Sequence, residues 1–441
     1  MNPPSRKRSW IPVPQGSDFP LENLPYGVFS LAGGPARIGV AIGDHVLDLA
    51  ALDTAGRFAD TPAAGAGVFA EDALNRFLAL GRPAWTAVRS RLTALLSGDD
   101  PALRDEGDLR KRALFDRGAV TMHLPARIGD YTDFYASLEH ASNVGSMFRD
   151  PENPLLPNWR HLPVGYNGRA GSVVVSGTDI RRPMGQSKAD DAAAPSFGPS
   201  RLLDFELEMG FFTGPGTPLG RPIPIAETRD HVFGMVLVND WSARDIQKWE
   251  YIPLGPFLGK SFGTSVSPWV VPMEALEPFR VPAPAQEPAV LPYLRDPEDG
   301  AYDIRLEVWL EAAGETEPLR LTATNFRGMY WTVFQQLAHQ TVNGTNTRPG
   351  DLYASGTVSG PTPDSLGSLL ELTWRGTRPV ALPSGATRKF LQDGDTVVMR
   401  GWCEGGGVRI GFGECRGTVR PVAGRPGEAA PPNGGPNHHR P

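Results

Sequence analysis

Apolar and polar residues change places at every step from Leu203 to Phe211: Leu203, Phe205, Leu207, Met209 and Phe211 alternate with Asp204, Glu206, Glu208 and Gly210. A two-residue period is that of a β-strand, so a strand is expected over Leu202–Phe211, with Glu206 and Glu208 on one face. Further strands are expected at Gly171–Ser176, Val232–Val238, Ile304–Leu310, Leu369–Trp374, Thr396–Arg400 and Val408–Phe412. From Gly27, alternating runs broken by Gly-Gly-Pro and Gly-Asp predict short hairpin strands. Helices are few, and apolar helical spacing is clearest in two places. Leu74, Phe77, Leu78, Trp85, Val88, Leu92 and Leu95 recur up to the stop Ser97-Gly-Asp-Asp-Pro101, and Met329, Val333, Phe334, Leu337 and Thr341 predict a helix over Gly328–Val342 closed by Gly344. The Ser/Ala/Pro/Asp-rich stretch Gly185–Ser200 reads as a mobile loop beside the Glu206 strand, placed to act as a lid. The pattern divides the chain into an arm over 1–20, an N-terminal β unit with helices over 21–125, a β-rich C-terminal domain over 126–420 and a disordered tail over 421–441.

Composition narrows the class. At 441 residues the chain is long enough for more than one core. Charged residues are 21% and the net charge is -6, so no basic excess exists to hold a phosphate backbone, and nucleic acid is not an expected partner. The longest apolar runs, such as Met235-Val-Leu-Val238, fall far short of the ~20 residues a membrane span needs. The basic start lacks an apolar stretch after it, so no signal peptide is expected and the location is read as cytoplasmic. Cys403 and Cys415 have neither disulfide-framework nor zinc spacing and read as reduced structural thiols. His45, His123 and His339 stand apart from other reactive side chains and read as packing or surface residues.

Candidate chemistry begins with the acids. An isolated Glu-x-Glu is ordinarily a solvated strand face, its two charges about 6.5–7 Å apart. Here the flanking positions are strongly apolar, and Asp240 closes the run Val236-Leu-Val-Asn-Asp. Asp133, Glu206, Glu208 and Asp240 converging at strand ends would repel without a cation. As oxygen donors they would select a hard ion, Ca²⁺ or Mg²⁺, able to polarise a carbonyl. Arg244 and Gln247 share a face of a short helix expected from Ser242, and with Lys260 they could form an oxyanion site. The stretch Asp130–Arg149 adds a histidine, His140, and an anion clamp, Arg149. Gly214-Pro-Gly-Thr-Pro-Leu-Gly220 has the wrong spacing for a dinucleotide loop.

Long blocks, not single residues, then carry a resemblance. Asp130-Tyr-Thr-Asp-Phe-Tyr, His140-Ala-Ser-Asn-Val-Gly, His161-Leu-Pro-Val-Gly-Tyr, Val175-Ser-Gly-Thr-Asp-Ile-Arg-Arg-Pro-Met-Gly-Gln186, Asn239-Asp-Trp-Ser-Ala-Arg-Asp-Ile-Gln and Ser355-Gly-Thr-Val-Ser-Gly-Pro are similar to the fumarylacetoacetate hydrolase family, from about Phe29 to Val419. The resemblance implies a mainly β protein with some α: an N-terminal SH3-like β-barrel, a C-terminal mixed β-roll housing the site, and a homodimer. It also implies hydrolysis of the carbon–carbon bond of a small diketo acid, 4-fumarylacetoacetate, in tyrosine catabolism. By the same resemblance, Asp133, Glu206, Glu208 and Asp240 are Ca²⁺ ligands. Asp240, Lys260 (through its backbone carbonyl) and Thr264 match a Mg²⁺ site. His140 is the general base with Glu371 as its orienting partner; Arg244, Gln247 and Lys260 are oxyanion donors; Tyr135, Arg149, Tyr166, Gln247, Tyr251 and Thr357 contact substrate. Two alternatives stay open: a related activity, such as acylpyruvate hydrolysis or oxaloacetate decarboxylation, and a non-catalytic metal-binding assembly protein.

Overall fold

A computed structural model describes residues 8–298 and 300–422. Near the start, five antiparallel strands line up in the order Leu114–Asp116, His45–Asp48, Arg37–Ile42, Tyr26–Ser30, Thr121–His123. The turn between Ile42 and His45 needs Gly43, whose φ is +55° and whose missing Cβ would lie 2.7 Å from the Pro12 carbonyl oxygen. Helix Arg82–Leu96 covers the sheet with Trp85, Val88, Leu92 and Leu95, as its spacing predicts. Its expected stop is also a start, because Asp100 caps the next helix, Pro101–Arg104, by accepting from Ala102 N–H at 2.8 Å.

The centre of the molecule is an eight-stranded mixed sheet. Its path runs Gly165–Asn167, Tyr131–Phe134, Leu352–Ala354, Leu207–Thr213, Val232–Asp240, Thr264–Val266, Val173–Val175, with Val271–Pro272 pairing on the fifth strand. All seven residues of Leu207–Thr213 are buried. The alternation read from sequence is therefore between two cores, not between core and water. Leu207, Met209, Phe211, Met235 and Leu237 join Leu306, Val308, Met399, Ile410 and Phe412, which come from a second, five-stranded sheet. On the opposite face, Phe212, Val236, Val238, Val266, Leu352 and Ala354 share a core with Phe77 and Leu92 of the N-terminal unit. The architecture is mainly β. Cys403 and Cys415 are free and buried in the second sheet, and burial pushes the Cys415 thiol up to about 12, so both are inert.

Four local expectations change. The Leu202–Phe211 strand is broken: Leu203–Asp204 pairs with Ser242–Ala243, and regular pairing in the central sheet resumes only at Leu207. The cause is the Asp204 carboxylate, which turns inward to accept three backbone N–H groups. Leu369–Trp374 is not a strand but contains a single helical turn, Leu369–Leu372. Ser368 caps that turn and Asp204 satisfies its first two N–H groups, a contact from 165 residues away. Gly185–Ser200 holds a hairpin, Met184–Ser187 against Ser196–Pro199, where a loop is expected. The second helix is shorter than its apolar spacing, Val333–Thr341, because Thr332 and Gln335 form a capping box.

From Arg8 the arm is docked, with Trp10 N–H on Leu96 O at 3.2 Å and its indole N–H on Leu95 O at 2.9 Å. The tail beyond Val422 lies outside the described residues. His339 packs by its Nδ1 against the Tyr293 hydroxyl at 3.0 Å. Among the described residues no helix is long and apolar enough to cross a membrane.

Candidate active site

Strand register gathers the acids. Ladder partners share a sheet face: Asp133 is in register with Ala354, and Ala354 with Gly210; Glu208 pairs with Val238, Val238 with Val266, and Asp240 with Thr264. All lie on the face that packs on the N-terminal unit. Asp133, Glu208 and Asp240 converge there, buried, with carboxylate oxygens within 4.8 Å of one another. Among the described residues Asp133 Oδ1 and Glu208 Oε1 are buried without a partner, an expensive arrangement unless something electropositive fits between them. Three carboxylates with two orphaned oxygens and no nitrogen or sulfur donor fit a hard divalent cation.

Burial, reinforced by the charge on Asp240, pushes the Asp133 carboxyl up to about 8. Burial and the charges of Asp133 and Asp240 push Glu208 up as well. The folded, cation-free protein therefore keeps a proton on Asp133 that the unfolded chain releases, between its ordinary 3.8 and about 8. That contribution to stability is fully present below 3.8 and is lost as pH rises to about 8. In chelator the thermal midpoint should fall across this window, and a saturating divalent cation should abolish the slope. Scanning calorimetry at stepped pH reads both; a midpoint in chelator that does not fall refutes the cluster's protonation.

Glu206 stands beside this triad and not inside it. It pairs with Lys260 Nζ through one oxygen and with Arg244 Nη1 through the other at 2.8 Å. Burial alone would raise its pKa, but Lys260 and Arg244 hold it below the usual range. Lys260 Nζ also reaches Asp240 Oδ2 at 2.6 Å, so the ammonium, not only the backbone, borders the cluster. Thr264 donates to Asp240 Oδ1 at 3.2 Å.

His140 sits in the first turn of helix Leu138–Phe148, whose cap is Ser137. Its Nδ1 lies 2.6 Å from Glu371 Oε2, leaving Nε2 as the nitrogen Glu371 does not engage. Glu371 is buried yet well supplied with donors: Asn143 Nδ2 at 3.0 Å, the Ser359 hydroxyl at 2.9 Å and the Ser368 hydroxyl at 2.9 Å. Burial works to raise its pKa, but the charge of His140 and these hydrogen bonds outweigh it and hold the carboxyl low. Tyr135 meets the His140 ring edge-on at 5.3 Å. Burial and the charge of Glu371 push its phenol upward, so it stays a donor.

Arg244 and Gln247 face each other on helix Arg244–Glu250, Nη1 to Oε1 at 3.2 Å, and Arg244 Nη2 is buried without a partner among the described residues. Tyr166 donates to Asp133 Oδ2 at 2.8 Å. Thr357 is buried, Tyr251 is exposed after the Gln247 helix, and Arg149 is exposed at the end of the His140 helix, its Nε on Pro154 O at 3.0 Å. Reading the sequence missed Arg169, whose guanidinium bonds Asp240 and the Tyr166 hydroxyl (2.9 Å) and lies 5.1 Å from the Tyr131 ring centre. It also missed Asn143, Ser359 and Ser368. Asn143 had a signal, one helical turn after His140 on the same face.

A cluster that suits a hard cation, together with an imidazole whose Nδ1 is held by a carboxylate, is what a metal-assisted hydrolase needs to make a nucleophile of water. Residues 22–125 match the family described as fumarylacetoacetase N-terminal, and residues 130–420 match the fumarylacetoacetate hydrolase C-terminal family. The chain belongs to the fumarylacetoacetate hydrolase family. It is 59% identical to fumarylacetoacetase of Homo sapiens over 417 residues, covering 94% of this chain and 99% of that one. It is 57% identical to fumarylacetoacetase of Caenorhabditis elegans, covering 94% and 99%, and 54% identical to that of Arabidopsis thaliana, covering 94% and 98%. Among solved structures, a fumarylacetoacetate hydrolase from psychrophilic Exiguobacterium antarcticum shares the fold with a TM-score of 0.52 at 19% identity, covering 90% of this chain and 99% of that one.

Proposed function

We infer that the protein hydrolyses the carbon–carbon bond of 4-fumarylacetoacetate, giving fumarate and acetoacetate in tyrosine and phenylalanine catabolism. The observation that carries this reading is the 2.6 Å contact between His140 Nδ1 and Glu371, at the positions where the family resemblance requires a base and its partner. Glu371 fixes the imidazole, and His140 Nε2 takes a proton from water as that water attacks the carbonyl beside the bond to be cut. Arg244, with its free Nη2, Gln247 and Lys260 stabilise the developing alkoxide. Tyr135, Arg149, Tyr166, Tyr251 and Thr357 hold the carboxylates and chain of the substrate, and the acetoacetate fragment departs as an enolate that takes up a proton. Asp133, Glu208 and Asp240, with Glu206 adjoining, would hold Ca²⁺; Asp240, Thr264 and the Lys260 carbonyl would hold Mg²⁺. A bound divalent cation supplies Lewis acidity toward the diketone oxygens.

In the same reading the N-terminal five-stranded sheet is an SH3-like barrel over 21–125, and 126–420 is a β-roll. The enzyme works as a cytoplasmic homodimer. The resemblance carried by the long sequence blocks supports the two folds and the dimer. The test is the loss of fumarylacetoacetate absorbance with and without chelator. Turnover that chelator stops and added cation restores is expected; no turnover on fumarylacetoacetate with cation present overturns the reading.

A further inference from the structure

We infer that Asp204 is a positioning residue for this reaction, the strut that sets the distance between Arg244 and the helical turn carrying Glu371. The inference rests on the roles proposed above for Arg244, Glu371 and His140. Asp204 is fully buried, yet unlike Asp133 and Glu208 it has no orphaned oxygen, so it stands outside the cation cluster. Its four acceptor sites are filled from two directions. Oδ1 takes the N–H groups of Leu369 at 2.7 Å and Phe205 at 2.9 Å; Oδ2 takes Leu370 N–H at 3.0 Å and Arg244 Nε at 2.8 Å. Both oxygens thus hold the turn that delivers Glu371 to His140, and Oδ2 also holds the guanidinium, whose Nη2 has no partner among the described residues. Leu203 and Asp204 also pair with Ala243 and Ser242, the two residues just before Arg244, so the strut is anchored to the Arg244 arm by backbone as well.

Only an ionised carboxylate can do this. It is acceptor-only on both oxygens, whereas an amide of the same shape would turn a donor toward two donors. Ser368 accepts only the Glu371 N–H of this turn, so Asp204 both completes its cap and ties it to Arg244 across the site.

Steady-state kinetics of the full-length protein in saturating divalent cation test this with Asp204→Asn and Asp204→Glu, the second keeping the charge and moving it by one methylene. A misplacement of about 1 Å can cost 10²-fold, so kcat should fall about 10- to 100-fold, with KM within about twofold of the parent. A general loosening would spread into KM. Combined with Arg244→Lys or Glu371→Gln, Asp204→Asn should lower kcat by less than the product of the single effects, because the alignment is already lost. Parental kcat in Asp204→Asn, or fully multiplicative double variants, overturns the proposal. Failure of both variants to fold assigns Asp204 to the fold alone and overturns it too. If Arg244→Lys and Glu371→Gln themselves leave kcat unchanged, the failure lies in the proposed function.

Discussion

The His140→Ala protein should lose about 10²- to 10⁴-fold in turnover of fumarylacetoacetate, the usual worth of a positioned general base, while binding Ca²⁺ as the parent does. The imidazole is not part of the Asp133, Glu208, Asp240 triad, so its removal leaves those oxygens where they are. Alanine also suits the first turn of helix Leu138–Phe148, where the Ser137 cap bonds the backbone N–H of residue 140 and not the ring. Glu371 would keep Asn143, Ser359 and Ser368 as donors, so a buried carboxylate is not stranded. Substrate loss by absorbance and a calorimetric cation titration separate the two effects. Unchanged turnover would reject His140 as the base, and a lost cation isotherm would instead place it in the cation site.

Glu206→Ala is expected to cost both stability and activity. Its carboxylate neutralises Lys260 and Arg244, all three buried, and removing one partner of a buried pair typically costs about 3–5 kcal/mol because the remaining charge is left in a poor solvent. Arg244 would keep Asp204 and Lys260 would keep Asp240, which places the expected loss at the lower end of that range. The urea midpoint measures it. Added Ca²⁺ should not restore turnover, since two of the proposed oxyanion donors would have lost the acid that aims them. Return to near-parental rates in excess Ca²⁺ would remove Glu206 from the site.

How much of this could be read in the chain varies with the range of the contact responsible. The strand carrying Glu208 was legible because a strand's period is local, and the Asp240 strand because its apolar run is continuous; Glu206 falls in the break before Leu207. The break at Asp204 and the helical turn at Leu369 were not: each is fixed by the other across 165 residues, and Leu369-Leu-Glu-Leu carries no local mark that distinguishes strand from turn. Glu371 acquired a role only through resemblance, because its partner lies 231 residues earlier. Arg169 sits in Gly-Arg-Ala-Gly between two short strands, without periodicity, and its importance comes from Asp240, 71 residues on. The hairpin of Gly185–Ser200 was hidden by its Ser, Ala and Pro content, since pairing there relies on backbone and not on apolar side chains.

Burial of the central sheet on both faces has a consequence for how the two halves of the chain depend on each other. The residue rows that end in Asp133, Glu208 and Asp240 continue as Ala354, Val236, Val238 and Val266 under the helix that holds Leu92. The N-terminal unit thus buries the apolar part of the sheet face that carries the charge cluster. By keeping water from the back of those rows it sets the local permittivity in which every carboxylate there feels its neighbours and any cation. A slackening of that distant packing would reach the chemistry as a change in field strength, with no catalytic side chain having moved.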